Sequence, residues 1–226
     1  MTTPRTVLVT GGNRGIGFAI AQEFLAQGHR VAVTARSGAG PEGALTVQAD
    51  VTDSASIDAA FTAVEAELGP VEVVVANAGI TRDTLLLRMS DDDFTDVIDT
   101  NLTGAFRTIK RASKGMLKGR FGRIILISSV VGLYGSAGQV NYSASKSALV
   151  GMARSLTREL GARVGVEIPD PRAGEAAEEA HRVLYEAVAF ADDFFRRQLQ
   201  DEGVGAKARA YLEKRGIPDT AVERFG

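Results

Sequence analysis

A chain of 226 residues, 45% hydrophobic and 24% charged, can bury a sizeable core as one large domain or as one domain with an appendage. A formal net charge of -2 gives no electrostatic drive toward nucleic acid or a membrane surface, and no apolar run approaches the ~18 residues of a membrane span. Without cysteine, disulfides, thiolate metal sites and cysteine nucleophiles are excluded. His29 and His181 lie in no metal-ligand spacing and are expected to be solvated, so no metal is expected. The first residues show no charged n-region followed by an apolar h-region, which makes the cytoplasm the expected location.

In chain order, TVLVT (6–10), RVAVTA (30–35), LTVQA (45–49), VEVVVA (71–76) and RIILIS (123–128) read as strands. Their near-continuous hydrophobicity fits a parallel sheet covered on both faces. Between them, residues 16–27, 54–68, 91–118 and 142–160 read as helices. This alternation predicts an α/β fold, a Rossmann-like doubly wound parallel sheet that binds ligands at the carboxyl ends of its strands. After Leu160 the rhythm stops. Residues 164–168 offer one short strand-like run ahead of Pro169-Asp170-Pro171, so the sheet is expected to end after strand five or six. From Glu175 the pattern is helical through Gln200. Leu184, Val188, Ala191, Phe195 and Leu199 recur at spacings of three and four, widened by Val183, Ala187, Phe190 and Phe194, and this stripe is expected to pack as core. A further helix over 206–215 is expected to end at Gly216, with a last turn from Pro218. The division expected is residues 1–163 as a dinucleotide-binding domain and 164–226 as a helical tail.

The stretch TGGNRGIG, Thr10 to Gly17, stands between the first strand and the first helix, where a dinucleotide loop must stand. Gly11 permits a tight turn, Gly15 lets backbone approach a pyrophosphate, and Gly17 allows close helix–strand packing. Asn13, Arg14 and Ile16 complete a loop around the helix N-terminus, whose free N–H groups and dipole suit phosphates. The second strand ends in Arg36 rather than in a carboxylate for a free ribose hydroxyl. Together with Arg14 it favours the 2′-phosphate of NADPH. Asp50 and Val51 follow the third strand, with Asp50 able to accept from the adenine amino group. Asn77-Ala78-Gly79 closes the fourth strand with small residues where backbone must pass close to the cofactor.

Tyr142 and Lys146 are four apart on a predicted helix and share a face. A tyrosine of reference pKa ~10 is a poor acid near neutrality until a cation stabilises its phenolate, and Lys146 can be that cation. Ser129, at the end of the fifth strand, can hydrogen-bond a substrate oxygen beside the tyrosine hydroxyl. Thr10-Gly-x-x-x-Gly-x-Gly17, Asn77-Ala78-Gly79, Asn101, Ser129 and Tyr142-x-x-x-Lys146 together resemble the full motif set of the short-chain dehydrogenase/reductase family. Residues 6–163, with NLTGAF around Asn101 and GRFGRIILISSVVG, are similar to its bacterial 3-oxoacyl-[acyl-carrier-protein] reductases.

The resemblance implies NADPH-dependent reduction of a 3-oxoacyl group on acyl-carrier protein to the 3-hydroxyacyl form, in fatty acid biosynthesis. Tyr142 would donate a proton to the ketone oxygen, Lys146 would bind the nicotinamide ribose, Ser129 would orient the substrate and Asn101 would hold a relay water. Tyr142 and Lys146 are then cofactor contacts as well as catalytic residues. It further implies that Arg120 and Arg163 meet the acidic carrier protein at the pocket mouth. No nucleic acid or membrane partner is implied, and a homo-oligomer is left open. Family members continue past the position of Arg163 with a sixth strand, a substrate-covering segment and a seventh strand, which this chain does not follow. The tail instead resembles the linker and early helical part of bacterial replicative primases. It lacks the cysteines of their zinc domain and their acidic catalytic domain, so primer synthesis is not implied. The atypical tail is expected to lower or abolish turnover. A module that binds NADP(H) without turnover, and a fusion whose tail mediates association, stay open as alternatives.

Overall fold

The computed structural model describes residues 3–163, 186, 189–190, 193, 195–201, 203 and 205–216. The chain divides into two compact units, Met1–Glu167 and Ile168–Gly226. In the first, β1 (Thr6–Thr10), β2 (Arg30–Ala35), β3 (Leu45–Gln48), β4 (Val73–Ala76) and β5 (Arg123–Leu126) form one parallel sheet in the order β3-β2-β1-β4-β5. Helices α1 (Gly15–Ala26), α2 (Ser54–Leu68), α3 (Asp91–Ile98), α4 (Gly104–Gly119), α5 (Val131–Tyr134) and α6 (Val140–Arg163) belong to the same unit, and α7 (Ala206–Lys214) to the second. This is the Rossmann-like doubly wound sheet expected from the alternating runs.

Alternation along the strands divides the core. Val7, Val9, Val73 and Val75 face one side, where Ile20, Ala21 and Phe24 of α1 cover them. Leu8 and Val74 face the other, against Ile57, Phe61 and Val64 of α2 and Ala112 and Met116 of α4. Leu149 and Met152 of α6 join that second face beside Ala76, Ala105 and Leu126. On β5, Ile124 and Leu126 are half-buried under these helices, while Arg123 and Ile125 on the opposite face are exposed. The strand order reverses between β1 and β4, so their carboxyl ends open a crevice at the point where the connections diverge.

Several element bounds differ from expectation. Residues 91–118 are not one helix: a π turn, Asp99–Thr103, separates α3 from α4. Its extra residue rephases the helix and turns Asn101 inward, where the side chain is 1% exposed. The four-residue α5 had no periodicity to mark it, and α6 starts two residues before Tyr142. His29 is half-buried rather than solvated. Its Nδ1 accepts from the Arg5 N–H at 3.0 Å, and its ring meets Phe24 edge-on at 5.6 Å.

The expected strand over 164–168, the Pro169-Asp170-Pro171 stop and the turn from Pro218 lie outside the described residues. In the second unit, residues 195–200 are helical; of the expected stripe Phe190 and Phe195 are exposed and Leu199 is half-buried, while Val183, Leu184, Ala187, Val188, Ala191 and Phe194 lie outside the described residues. Helix α7 ends as expected, with Gly216 at φ 66 one residue beyond its cap, Arg215. No helix among the described residues is long and apolar enough to cross a membrane.

Candidate active site

At the crevice lies a cavity of about 570 Å³. Gly11, Asn13, Arg14, Gly15, Ile16, Arg36, Asp50, Val51, Asn77, Ala78 and Gly79 all line it, which are the expected cofactor residues apart from Gly17, Tyr142 and Lys146. Gly11 and Gly15 hold φ of 66° and 57°, the left-handed region that a side chain resists. Gly17 is buried against β4, where a Cβ would collide with the Asn77 amide and the Gly11 carbonyl. The first turn of α1 has no side-chain cap and no acidic residue, so its unpaired N–H groups stand free for an anion.

The loop is tied to its neighbours. Thr10, 1% exposed, accepts at its hydroxyl from the N–H groups of Asn77 and Ala78, at 3.0 and 3.1 Å. Asn77 Nδ2 donates back to the carbonyls of Thr10 and Gly11. Asn13 Nδ2 donates to the Ser37 carbonyl at 2.9 Å, joining the glycine loop to the end of β2. Arg14 and Arg36 are exposed on the cavity, and the residue that follows β2 is Arg36 rather than a carboxylate. This lining fits a dinucleotide with an extra phosphate on its ribose. Asp50 is already engaged: Oδ1 accepts from both the N–H and the hydroxyl of Thr52. The backbone bond from Thr52, then its hydroxyl, hold the Asp50 carboxyl below the usual range, against the effect of burial and with further help from Arg36 and Arg107. Its second oxygen stays available to an adenine amino group.

The chemical residues adjoin this cavity through Gly79. A Cβ built there would stand 3.0 Å from Asn101 Oδ1 and 3.7 Å from Lys146 Nζ, so a small residue lets the cofactor loop reach the lysine. Lys146 is 5% exposed and donates to the Ile127 carbonyl at 2.7 Å, and burial pushes its pKa down. Its Nζ stands 5.7 Å from the centre of the Tyr142 ring. Ser129 follows β5, and its neighbours are fastened to α6 on both sides: Ser128 Oγ donates to the Lys146 carbonyl and Ser143 Oγ to the Val131 carbonyl. Asn101 Nδ2 donates to the Ile80 carbonyl and to Ser145 Oγ, while Oδ1 accepts from the Ile80 N–H. Ser145 in turn donates to the Tyr142 carbonyl at 2.7 Å. Both amide hydrogens of Asn101 are thus committed to the protein. A relay water would have to meet its backbone carbonyl or the second lone pair of Oδ1.

A family model described as short chain dehydrogenase matches residues 5–172. The chain belongs to the short chain dehydrogenase family. It is 53% identical over 184 residues to 3-oxoacyl-[acyl-carrier-protein] reductase MabA of Mycobacterium avium, covering 81% of this chain and 72% of that one. It is 57% identical over 156 residues to MabA of Mycobacterium tuberculosis (strain ATCC 25618 / H37Rv), covering 69% and 63%. Against FabG of Escherichia coli (strain K12) the identity is 45% over 170 residues, covering 70% and 68%. The chain therefore spans between 63 and 72% of the length of these relatives.

Within this short chain dehydrogenase, the motifs picked out the cavity and the Tyr142–Lys146 face but not their supports. Thr10 was visible only as the first letter of the glycine motif. Ser128, Asn141 and Ser145 carried no signal, because each has a partner far away in sequence. Thr34, Ser37, Thr52, Ile80 and Thr100 also line the cavity. Two expectations need correction. Arg120 caps α4 beside the start of β5, at the amino edge of the sheet, whereas the cavity lies at the carboxyl edge. Arg163 ends the helix that begins beside Tyr142, about 30 Å away at ~1.5 Å per residue, and pairs with Glu159. Neither stands at the mouth of its own chain's cavity.

Proposed function

We propose that the protein is a cytoplasmic, NADPH-dependent reductase that converts 3-oxoacyl groups on acyl-carrier protein to 3-hydroxyacyl groups, in fatty acid biosynthesis. The observation that carries this reading is the meeting at Gly79 of a dinucleotide cavity with a buried lysine that shares a helix face with a tyrosine. The names of the MabA and FabG relatives supply the substrate class. NADPH, when bound, supplies a hydride to the carbonyl carbon. Tyr142 gives its hydroxyl proton to the carbonyl oxygen, so the ketone leaves as an alcohol. Ser129 Oγ, which accepts from the Val131 N–H at 3.2 Å, keeps its own hydrogen free to donate to the same oxygen. Lys146, desolvated and held by Ile127, presents an ammonium both to the nicotinamide ribose and to the tyrosine.

The reading takes residues 1–163 as the reductase domain and 164–226 as a tail outside it. The family match to residue 172 and the compact unit ending at Glu167 support a boundary slightly later. The deciding experiment is NADPH oxidation with acetoacetyl-CoA as substrate, run beside NADPH binding. Turnover supports the reductase. Binding without turnover would make the chain a cofactor-binding module, and no binding at all would defeat both readings.

A further inference from the structure

Three segments meet at Asn141, a residue that none of the family motifs includes. Its side chain is fully buried, a costly place for an amide unless its hydrogen-bonding groups are matched. Here they are. Nδ2 donates to the carbonyls of Arg82 and Asp93, each at 3.0 Å, and Oδ1 accepts from the N–H of Tyr142 at 2.7 Å. Tyr142 stands in the first turn of α6, where backbone N–H groups have no partner inside the helix. Asn141 supplies that partner. In doing so it moors the turn to α3 and to the segment that leaves the cofactor cavity after Gly79.

We propose that Asn141 is a positioning residue for Tyr142, fixing where the phenol hydroxyl stands relative to the cofactor cavity. The role rests on the reading of Tyr142 as proton donor. Other links join the same segments: the Thr84 N–H donates to the Gly138 carbonyl, Gln139 to Asp83, and Asn101 brackets Ile80. The Gln139–Asp83 bond is exposed, and none of the three touches the tyrosine. The Asn141 bonds are the ones that carry the position of the segment after β4 directly to the Tyr142 backbone.

Asn141→Ala removes all three bonds. Asn141→Asp keeps an acceptor for Tyr142 but sets a carboxylate against two carbonyl oxygens. The control is Val64→Ala, which opens a cavity under α2 and lowers Tm away from the site. With NADPH and acetoacetyl-CoA, below the Tm of every variant, Asn141→Ala and Asn141→Asp should lower kcat about 10²-fold, the cost of roughly 1 Å of misplacement. The NADPH Kd should stay close to that of the unmutated protein. The solvent deuterium isotope effect on kcat should rise as proton transfer becomes limiting. Val64→Ala should change none of the three.

A second readout needs no turnover. Labelling Cζ of the four tyrosines with an NMR-active carbon gives a resonance for each, and Tyr142→Phe assigns one of them. Asn141→Ala should move that resonance and Val64→Ala should leave it. If Asn141→Ala does not fold, Asn141→Ser, which keeps one donor, is read in the same way. An unmoved Tyr142 resonance overturns the role, as does a kcat within about twofold of the unmutated protein despite a Tm loss equal to that of Val64→Ala. A protein that binds NADPH but never oxidises it defeats the proposed function and leaves the resonance test standing.

Discussion

A 2′-phosphate carries charge that a ribose hydroxyl does not, and the proposed partners for that charge, Arg14 and Arg36, both line the cavity. NADPH should therefore bind more tightly than NADH. Arg36→Asp should narrow the preference by about tenfold or reverse it, since hydrogen bonds to charged groups contribute about 1.5–3 kcal/mol. Fluorescence titration with both cofactors measures this, and equal affinities in the unmutated protein would sink the role of Arg36. At the chemical end, Tyr142→Phe should lower kcat about 10²–10⁴-fold, the usual loss of a general acid, with little change in the NADPH Kd. Lys146→Ala should damage both, because the proposed role of its ammonium serves ribose and phenol together. Steady-state rates and binding, measured on the same preparations, separate the two; robust reduction by Tyr142→Phe would show that the proton comes from elsewhere. These residues were legible because each has a signature within a few positions of itself. Asn141 and Ser145 were not: apart from nearby Tyr142, their partners lie 59, 48 and 44 residues away, so nothing short of the fold reveals them.

The elements owe their legibility to burial. Parallel strands covered on both faces read as unbroken apolar runs, and β1, β2 and β4 are such strands. The break at Asp99–Thr103 was hidden because Asn101 turns inward to meet Ile80, 21 residues earlier, and the local pattern there is uninterrupted helix. The amino edge of the sheet offers a test of how its strand starts are held. Arg5 Nη1 donates to Glu72 Oε1 at 2.6 Å, the Thr6 N–H donates to Oε2 at 3.2 Å, and the Arg5 guanidinium lies 3.8 Å from the centre of the Phe121 ring. Burial pushes the Glu72 pKa up, but Arg5 and Thr6 outweigh it, and the carboxyl titrates below its ordinary value. A carboxyl with a depressed folded-state pKa stabilises the fold above its unfolded value of about 4.3, and that stability is lost as pH falls through the folded value. Glu72→Gln should therefore cost roughly 1 kcal/mol at neutral pH, the upper range for a pair that is not fully buried. The difference should shrink as pH falls below the unfolded value and through the lowered folded-state one. Denaturant melts of both proteins across that range measure it. A gap that persists unchanged in acid would mean that Glu72 acts through packing rather than through its charge.

At the scale of the molecule, the described residues that line the cofactor cavity lie between Gly11 and Thr100, inside the first compact unit. In the helical second unit, Phe190 and Phe195 are exposed, unlike the packed stripe that their spacing suggested, while Leu199 is half-buried. Spacing shows which residues share a helix face, whereas burial of that face depends on what lies opposite, which local sequence does not state. Cofactor binding should accordingly be a property of the first unit. At about a hundredfold excess over Kd, NADPH should stabilise that unit by roughly 2.7 kcal/mol. Hydrogen exchange read by fragment should then slow in the strands β1, β2 and β4 and at the start of α1, where the cavity is built. Fragments covering 195–216 should exchange at the same rate with and without NADPH. Slowing there of the same size as in β1 would show that the second unit takes part in holding the cofactor, and the site would have to be extended beyond the residues that line it here.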